Sequence, residues 1–171
     1  MTNYRQICLL AICLSFFFSL SALGQNPMEG GLWKDTGGKH INAHGGNILQ
    51  YRGTYYWYGE TRSNGGPVSS LGVSCYTSKN LRDWTSRGFV LRVSDDTNSD
   101  IQKGCIIERP KVLYNAKTKK FVMWFHLELR GQGYAAARAA VAVSDNPTGP
   151  FRFVRSGRVN VGCYPIGFCL P

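Results

Sequence analysis

Ile106-Ile107-Glu108-Arg109-Pro110-Lys111-Val112-Leu113-Tyr114 is the stretch of sequence that decides the fold of this chain. It places a carboxylate inside an apolar run, and a second apolar run follows at residues 121–128 after a turn-forming segment. An isolated buried charge costs several kcal/mol or shifts its pKa, so Glu108 must be paired or put to use. The stretch therefore predicts a β-hairpin with ionisable side chains at its end.

The rest of the chain downstream of residue 40 follows the same pattern. Helical periodicity is nearly absent, and short β-rich runs alternate with Gly, Asn, Asp and Pro, which is typical of an all-β protein. Strands are predicted at residues 46–51, 54–59, 72–77, 89–92, 111–114, 121–127, 137–144 and 151–156. Residues 51–54 are predicted to form a tight hairpin turn, and residues 115–120 a longer one.

An internal repeat relates the two halves of the chain. Residues 47–51 and 55–58 match residues 110–114 and 121–125, at an offset of roughly 63 to 67 residues. Each unit contains a hairpin, a long loop, a third strand, a turn and a fourth strand, which fits a propeller blade with loop insertions. One such unit cannot bury both faces of its sheet, so several must pack around an axis. We predict about two four-stranded blades, at about residues 40–100 and 105–160.

The N-terminus has the features of a secretory signal peptide. Arg5 precedes an apolar run at residues 7–20, and small residues follow at 21–24. We predict cleavage after Gly24 and a secreted or periplasmic protein that has no membrane association after cleavage. The alternative, an uncleaved membrane anchor, is disfavoured because the apolar run is shorter than the roughly 20 residues that a bilayer needs.

Charge and cysteine content narrow the function classes. The net charge of +10 becomes +9 without Arg5, but the basic residues are scattered and the protein is predicted to be exported, which disfavours a nucleic-acid partner.

Four cysteines follow the signal peptide: Cys75, Cys105, Cys163 and Cys169. Four cysteines allow three sets of disulfide pairings. Of the possible interpretations, we prefer that Cys75 and Cys105 are buried residues of strands. No Cys-x-x-Cys or His spacing completes a zinc set, so neither a metal nor a cofactor is predicted.

Several motifs together carry a family resemblance. They are His40-Ile41-Asn42-Ala43-His44-Gly45-Gly46, Tyr55-Tyr56-Trp57-Tyr58-Gly59-Glu60, Glu108-Arg109-Pro110-Lys111-Val112, Met123-Trp124-Phe125-His126 and Ser144-Asp145-Asn146-Pro147-Thr148-Gly149-Pro150-Phe151. The chain resembles family 43 glycoside hydrolases, in particular the exo-β-1,3-galactanase branch. The resemblance implies part of a five-bladed β-propeller with an axial active site, which hydrolyses galactans with inversion.

The resemblance implies that Glu108 is the active-site carboxylate, predicted as the catalytic residue, and that Tyr134 contacts the sugar. The other predicted substrate contacts are His44, which adjoins a glycine pair, His126, which lies at the end of an apolar strand, and the basic residues Arg109 and Arg138. A structural ion pair of Glu108 with Arg109 or Arg138 is the alternative, and both histidines have structural alternatives. Asn42 to His44 stand where general members of the family carry an Asp base.

The functional expectation is a secreted glycosidase that acts on a polysaccharide or oligosaccharide. The resemblance assigns the general-acid Glu to a later blade, beyond residue 171, so the chain as given is expected to be inactive. Two alternatives stay open: a carbohydrate-binding protein without hydrolytic activity, and the remnant of a disrupted gene. The sequence does not predict the sugar, the linkage or the oligomeric state.

Overall fold

A computed structural model of the chain describes residues 31–62 and 70–158. The predicted signal peptide and two of the cysteines, Cys163 and Cys169, lie outside these residues. All eight named elements are β-strands, which confirms the prediction of an all-β protein. The described part of the chain contains no helix that is long and apolar enough to cross a membrane.

The strands form two antiparallel sheets of four, each ordered as in the sequence. The first sheet consists of β1 (His44–Tyr51), β2 (Thr54–Arg62), β3 (Ser70–Ser78) and β4 (Thr85–Arg92). The second consists of β5 (Ile106–Asn115), β6 (Lys120–Glu128), β7 (Arg138–Ser144) and β8 (Arg152–Gly157). The two predicted four-stranded units are thereby confirmed. β5 begins at Ile106, earlier than predicted, so Glu108 lies inside the strand.

The first hairpin closes as its sequence predicts. Tyr51 pairs with Thr54, which leaves Arg52 and Gly53 as the two turn residues. Their φ angles are 48° and 70°, and positive φ at both central positions is the mark of a type I′ turn. The twist of this turn matches the twist of the strands, so β1 and β2 pair without splaying.

The two sheets carry the same irregularity at the same place. His44 pairs with Glu60, Glu108 pairs with His126, and the register of the first strand shifts directly after each pair. Glu108 is therefore the counterpart of His44, 64 residues later, and His126 is the counterpart of Glu60, 66 residues later. The alignment of residues 47–51 with 110–114, suggested by the sequence, is wrong by one residue. It matches Tyr51 with Tyr114, whereas the strand pairs counted from each hairpin turn make Asn115 the counterpart of Tyr51.

A shared hydrophobic core lies between the two sheets. The buried side chains that build it come from both: Tyr58, Val73, Cys75, Val90, Leu91, Ile107, Val112, Phe121, Met123, Phe125, Leu127, Ala140 and Ala142. Polar contacts also cross the same interface, and two of them involve the core strands directly. The side chain of Asn47 accepts a hydrogen bond from the backbone N–H of Val112 at 2.9 Å, and Tyr58 Oη donates to the carbonyl of Pro147 at 2.6 Å. Because buried polar groups need such partners, these contacts restrict how the sheets can dock.

Two large apolar side chains are exposed on the face of the second sheet that points away from this core. Leu113 is 60% exposed and Trp124 is 51% exposed. Each adjoins a fully buried residue of the core, Val112 and Met123, so the strands alternate between a covered and an uncovered face. Adjacent exposed side chains of this size are typical of a surface that contacts another protein layer.

Both cysteines in the described part are buried free thiols. Cys75 lies in β3, and Cys105 lies immediately before β5. Burial raises the pKa of the Cys75 thiol to about 12 and that of the Cys105 thiol to about 11. The two residues are therefore protonated core residues at neutral pH.

Candidate active site

The two bulged hairpins bring polar groups together at one end of the sheets. The starts of β1 and β5 lie beside the ends of β2 and β6, as the pairs His44–Glu60 and Glu108–His126 require. The loop between β6 and β7 adds Tyr134 at this end. The candidate site is formed by these strand ends and this loop.

Glu108 is the central carboxylate of the site. It is only 8% exposed, and its Oε1 atom accepts hydrogen bonds from Arg62 Nη2 at 3.1 Å and from Tyr134 Oη at 2.8 Å. None of the described residues donates a hydrogen bond to its Oε2 atom. The carboxylate is thus oriented through one oxygen, while the other keeps its capacity to accept.

Glu60 organises the groups around Glu108. It is 3% exposed, and its Oε1 atom accepts a hydrogen bond from Arg62 Nη2 at 2.7 Å. Its Oε2 atom accepts from the backbone N–H of Arg109 at 2.6 Å. The hydrogen bond to Glu60 raises the pKa of Arg62, so the guanidinium stays charged between the two carboxylates. Both Glu60 oxygens are engaged within the protein.

The bulge holds its central residue in a left-handed conformation in both sheets. Gly45 has a φ of 56°, and its counterpart Arg109 has a φ of 52°. Left-handed backbone costs a non-glycine residue roughly 1–2 kcal/mol, and the hydrogen bond from the Arg109 N–H to Glu60 offsets part of that cost. Gly45 has a second reason to be glycine, because a Cβ there would lie 3.1 Å from Glu60 Oε2.

A third buried carboxylate supports the loop that carries Tyr134. Glu128, fully buried at the end of β6, accepts a hydrogen bond from the backbone N–H of Ala137. Its Oε1 atom lies 2.8 Å from Nε2 of His126. The His126 ring stacks on the Tyr134 ring, with centroids 6.3 Å apart and an angle of 13° between the planes. The hydrogen bond with Glu108 raises the pKa of the Tyr134 phenol.

The structure brings together most of the residues that the sequence assigned to the site. Glu108 and Tyr134 are hydrogen-bonded, His126 stacks on Tyr134, and Arg109 contacts Glu60 through its backbone. His44 is exposed, directly across from Glu60. Whether these side chains bind a substrate stays a prediction.

Arg138 lies elsewhere. Its guanidinium contacts Ser156 Oγ at 2.6 Å and Asp100 Oδ2 at 3.4 Å. Its strand partner is Leu127, which is buried in the core, so Arg138 stands on the face of the sheet opposite to Glu108. The alternative ion pair of Glu108 with Arg109 or Arg138 is wrong, because the guanidinium that pairs with Glu108 belongs to Arg62.

Sequence reasoning gave no role to three residues that build the site: Glu60, Arg62 and Glu128. A usable signal existed, since β2 and β6 both end in charged residues after an apolar run. The pairing of Arg62 with Glu108 carries no local signal, because 46 residues separate them. Within the described part of the chain, no group of three or more His, Cys, Asp or Glu side chains could hold a metal ion.

Comparison with solved structures finds close relatives. A family 43 β-1,3-galactosidase solved with galactodeoxynojirimycin is 62% identical with a TM-score of 0.75, over 81% of this chain and 40% of that chain. The exo-β-1,3-galactanase of Clostridium thermocellum is 49% identical with a TM-score of 0.67, over 74% of this chain and 26% of its own. The exo-β-1,3-galactanase of Phanerochaete chrysosporium, solved with galactose, is 38% identical with a TM-score of 0.69, over 75% of this chain and 29% of its own.

The chain thus spans less than half the length of each of these relatives. No protein-family model and no curated protein matches it.

Proposed function

This chain belongs to glycoside hydrolase family 43, and we propose that it forms the sugar-orienting part of the active site of an exo-β-1,3-galactanase. Its two sheets are two blades of the five-bladed propeller on which the related enzymes are built. The substrate of the proposed enzyme is a β-1,3-linked galactan with a terminal galactose. The galactose bound by the Phanerochaete chrysosporium relative supports this choice of sugar.

The orientation of Glu108 is the observation that carries the proposal. Arg62 and Tyr134 hold one of its oxygens, and the other can accept a hydrogen bond from a sugar hydroxyl. A carboxylate fixed in this way selects one orientation of the terminal sugar before reaction, which lowers the entropic part of the barrier. We further propose that Arg109 and His44, which both adjoin Glu60, add contacts to the sugar.

The proposed reaction is hydrolysis with inversion. Water attacks the anomeric carbon while the glycosidic C–O bond breaks, an acid protonates the leaving oxygen, and a base takes the proton of the water. Inverting enzymes place these two groups roughly 6.5–9.5 Å apart, on opposite faces of the sugar. The oxygens of Glu60 and Glu128 are engaged inside the protein, so we assign the acid and the base to blades other than the two described here.

The same observation supports a second candidate, a carbohydrate-binding function without hydrolysis. Of the three carboxylates at this end of the sheets, only Glu108 keeps an oxygen that accepts no hydrogen bond from the described residues. One carboxylate suffices for binding, whereas inverting hydrolysis needs two catalytic groups.

A binding and turnover experiment on the full chain tests both candidates. We expect β-1,3-galactobiose to bind the wild type, binding to weaken at least about tenfold in Glu108→Gln, and no galactose to be released from β-1,3-galactan. Asp145→Asn is the control, because it removes an exposed carboxylate from the opposite end of the same sheet.

Three results would contradict parts of the proposal. Equal binding by the wild type and Glu108→Gln would exclude Glu108 from the sugar site. Absence of binding by both proteins would remove the sugar-orienting role altogether. Galactose release that disappears in Glu108→Gln would place the complete reaction in this chain and exclude the non-hydrolytic candidate.

We also propose that the chain is exported, on the basis of its N-terminal sequence. The basic Arg5, the apolar run at residues 7–20 and the small residues at 21–24 fit cleavage by signal peptidase. N-terminal sequencing of the mature protein should find Gln25 as the first residue. An intact Met1 on the mature protein would contradict export by this route.

A further inference from the structure

Glu128 is a buried carboxylate to which the proposed reaction assigns no role. It is completely buried, and both of its oxygens lie within hydrogen-bonding distance of the Ala137 N–H, at 3.1 and 3.0 Å. Its Oε1 atom also lies 2.8 Å from His126 Nε2. Burial of a carboxylate is unfavourable, so the position implies that its contacts accomplish something that an apolar residue could not.

One contact of Glu128 closes the loop that carries Tyr134. This loop leaves β6 after Glu128 and returns to β7 at Arg138, and Ala137 is its last residue. Ala137 has a φ of 44°, which is an unfavourable left-handed conformation for a residue with a Cβ. Both oxygens of Glu128 accept a hydrogen bond from the Ala137 N–H, which holds the end of the loop against the end of the preceding strand.

The other contact of Glu128 fixes the ring of His126. Because Nε2 lies 2.8 Å from Oε1 of the buried carboxylate, this contact limits rotation of the imidazole about its side-chain torsions. The Tyr134 ring lies on this imidazole, nearly parallel to it. Tyr134 is 52% exposed, and a tyrosine so exposed would sample several rotamers without such a platform.

We propose that Glu128 is a positioning residue that holds Tyr134 against Glu108. It does so by two routes, through the backbone of Ala137 and through the ring of His126, and both lead to the 2.8 Å hydrogen bond between Tyr134 Oη and Glu108 Oε1. The purpose of this arrangement rests on the proposed function, in which Glu108 orients the terminal sugar. The arrangement itself is independent of any sugar.

The ionisation of Tyr134 in the full chain reports on this hydrogen bond. We would label tyrosine at Cζ with ¹³C and follow the Tyr134 signal by NMR as the pH rises. In the wild type the hydrogen bond to Glu108 raises the pKa of Tyr134. Glu128→Asp withdraws the carboxylate by one methylene. Because the charge of Glu128 also raises the pKa of Tyr134 directly, His126→Ala, which leaves the carboxylate in place, and the ring NOEs separate this direct effect from a movement of Tyr134.

We expect the Tyr134 titration midpoint to fall in Glu128→Asp, and the NOEs between the rings of His126 and Tyr134 to weaken. His126→Ala should lower the midpoint as well, because it removes the platform while it leaves the buried carboxylate in place. The control is Asp100→Asn, which disturbs the contacts of Arg138 and Ser156 in the same blade and should leave the midpoint unchanged.

An unchanged midpoint in folded Glu128→Asp would overturn the proposal. If that variant does not fold, His126→Ala decides, and an unchanged midpoint there has the same meaning. A sugar titration separates this proposal from the proposed function. Binding of β-1,3-galactobiose should weaken about fivefold in Glu128→Asp, as the loss of one hydrogen bond implies. If the wild type binds no sugar, the proposed function fails, while the Tyr134 titration still decides the positioning role.

Discussion

The Nη2 atom of Arg62, in the first sheet, lies 3.1 Å from the Oε1 atom of Glu108, in the second. The same nitrogen lies 2.7 Å from Oε1 of Glu60, so one guanidinium joins the carboxylates of two sheets. The candidate active site and the interface between the sheets therefore share this residue. A change at Arg62 should affect both.

Replacement of Arg62 by Met should destabilise the chain. The change leaves the nearly buried Glu60 without its cation and brings two carboxylates together without a charge between them. Because the Arg62 side chain is 40% exposed, water compensates in part, and we expect the free energy of unfolding to fall by about 1–3 kcal/mol. Urea denaturation followed by circular dichroism measures the loss. Arg82→Met, in an exposed turn of the same sheet, is the control, and an equal effect in both variants would contradict the structural role of Arg62.

Gly59→Ala should disrupt the first sheet. A Cβ at residue 59 would lie 2.2 Å from the carbonyl carbon of Ala43. The backbone segments at residues 43 and 59 would have to move apart, which would disturb their packing. We expect a loss of at least about 2 kcal/mol, seen as a lower melting temperature. Gly157→Ala is the matched control, since nothing lies within 4 Å of a Cβ there and the change should stay within about 0.5 kcal/mol. Similar melting temperatures for the two variants would refute this packing.

The Cys75 and Cys105 thiols should resist alkylation in the folded protein. Both are fully buried, and with pKa values of about 12 and about 11 they form very little thiolate at pH 8. Iodoacetamide labelling, analysed by mass spectrometry of the peptides that contain each cysteine, should show modification only after denaturation. The same peptides labelled in urea provide the control. Rapid labelling of Cys75 under native conditions would mean that the core opens readily.

The stability of the chain should fall at alkaline pH partly because of Cys75. Burial raises the pKa of this thiol in the folded state, so above about pH 9 the unfolded chain loses a proton that the folded chain retains, and unfolding becomes easier as the pH rises. This one group can contribute up to about 1.4 kcal/mol per pH unit between about pH 9 and 12. Denaturation at several pH values should show a shallower decline for Cys75→Ala than for the wild type, and parallel curves would contradict the assignment.

The exposed face of the second sheet should promote self-association of the chain. Leu113 and Trp124 are neighbours on this face, and each exposes more than half of its surface. A double variant with Leu113→Lys and Trp124→Lys should elute as a smaller species in size-exclusion chromatography with light scattering. Leu81→Lys replaces an exposed leucine in a turn of the other sheet and is the control. An unchanged elution of the double variant would show that this face does not drive association.

The fold could be predicted from the sequence because its signals are local. Alternation of apolar and polar residues and the Arg52-Gly53 turn depend only on near neighbours, so all eight strands were found. The extent of β5 was underestimated because Arg109-Pro110 interrupts the pattern. That interruption is the bulge, which keeps Glu108 in the strand while the register shifts.

The site could be predicted only in part. Glu108 was found from its own neighbours, as a carboxylate in an apolar run, and the family resemblance added Tyr134. The roles of Glu60 and Arg62 depend on the docking of one sheet on the other, and the placement of Arg138 depends on which face of β7 it occupies.

The sequence by itself therefore determined the strands, the two-unit repeat and the unusual position of Glu108. Only the tertiary structure decided that Arg62 is the cation beside Glu108 and that Glu128 supports the Tyr134 loop. The physical reason is one of range. Strand propensity and turn geometry act over a few residues, whereas a salt bridge forms between whichever charges the packed core brings within a few ångströms of each other.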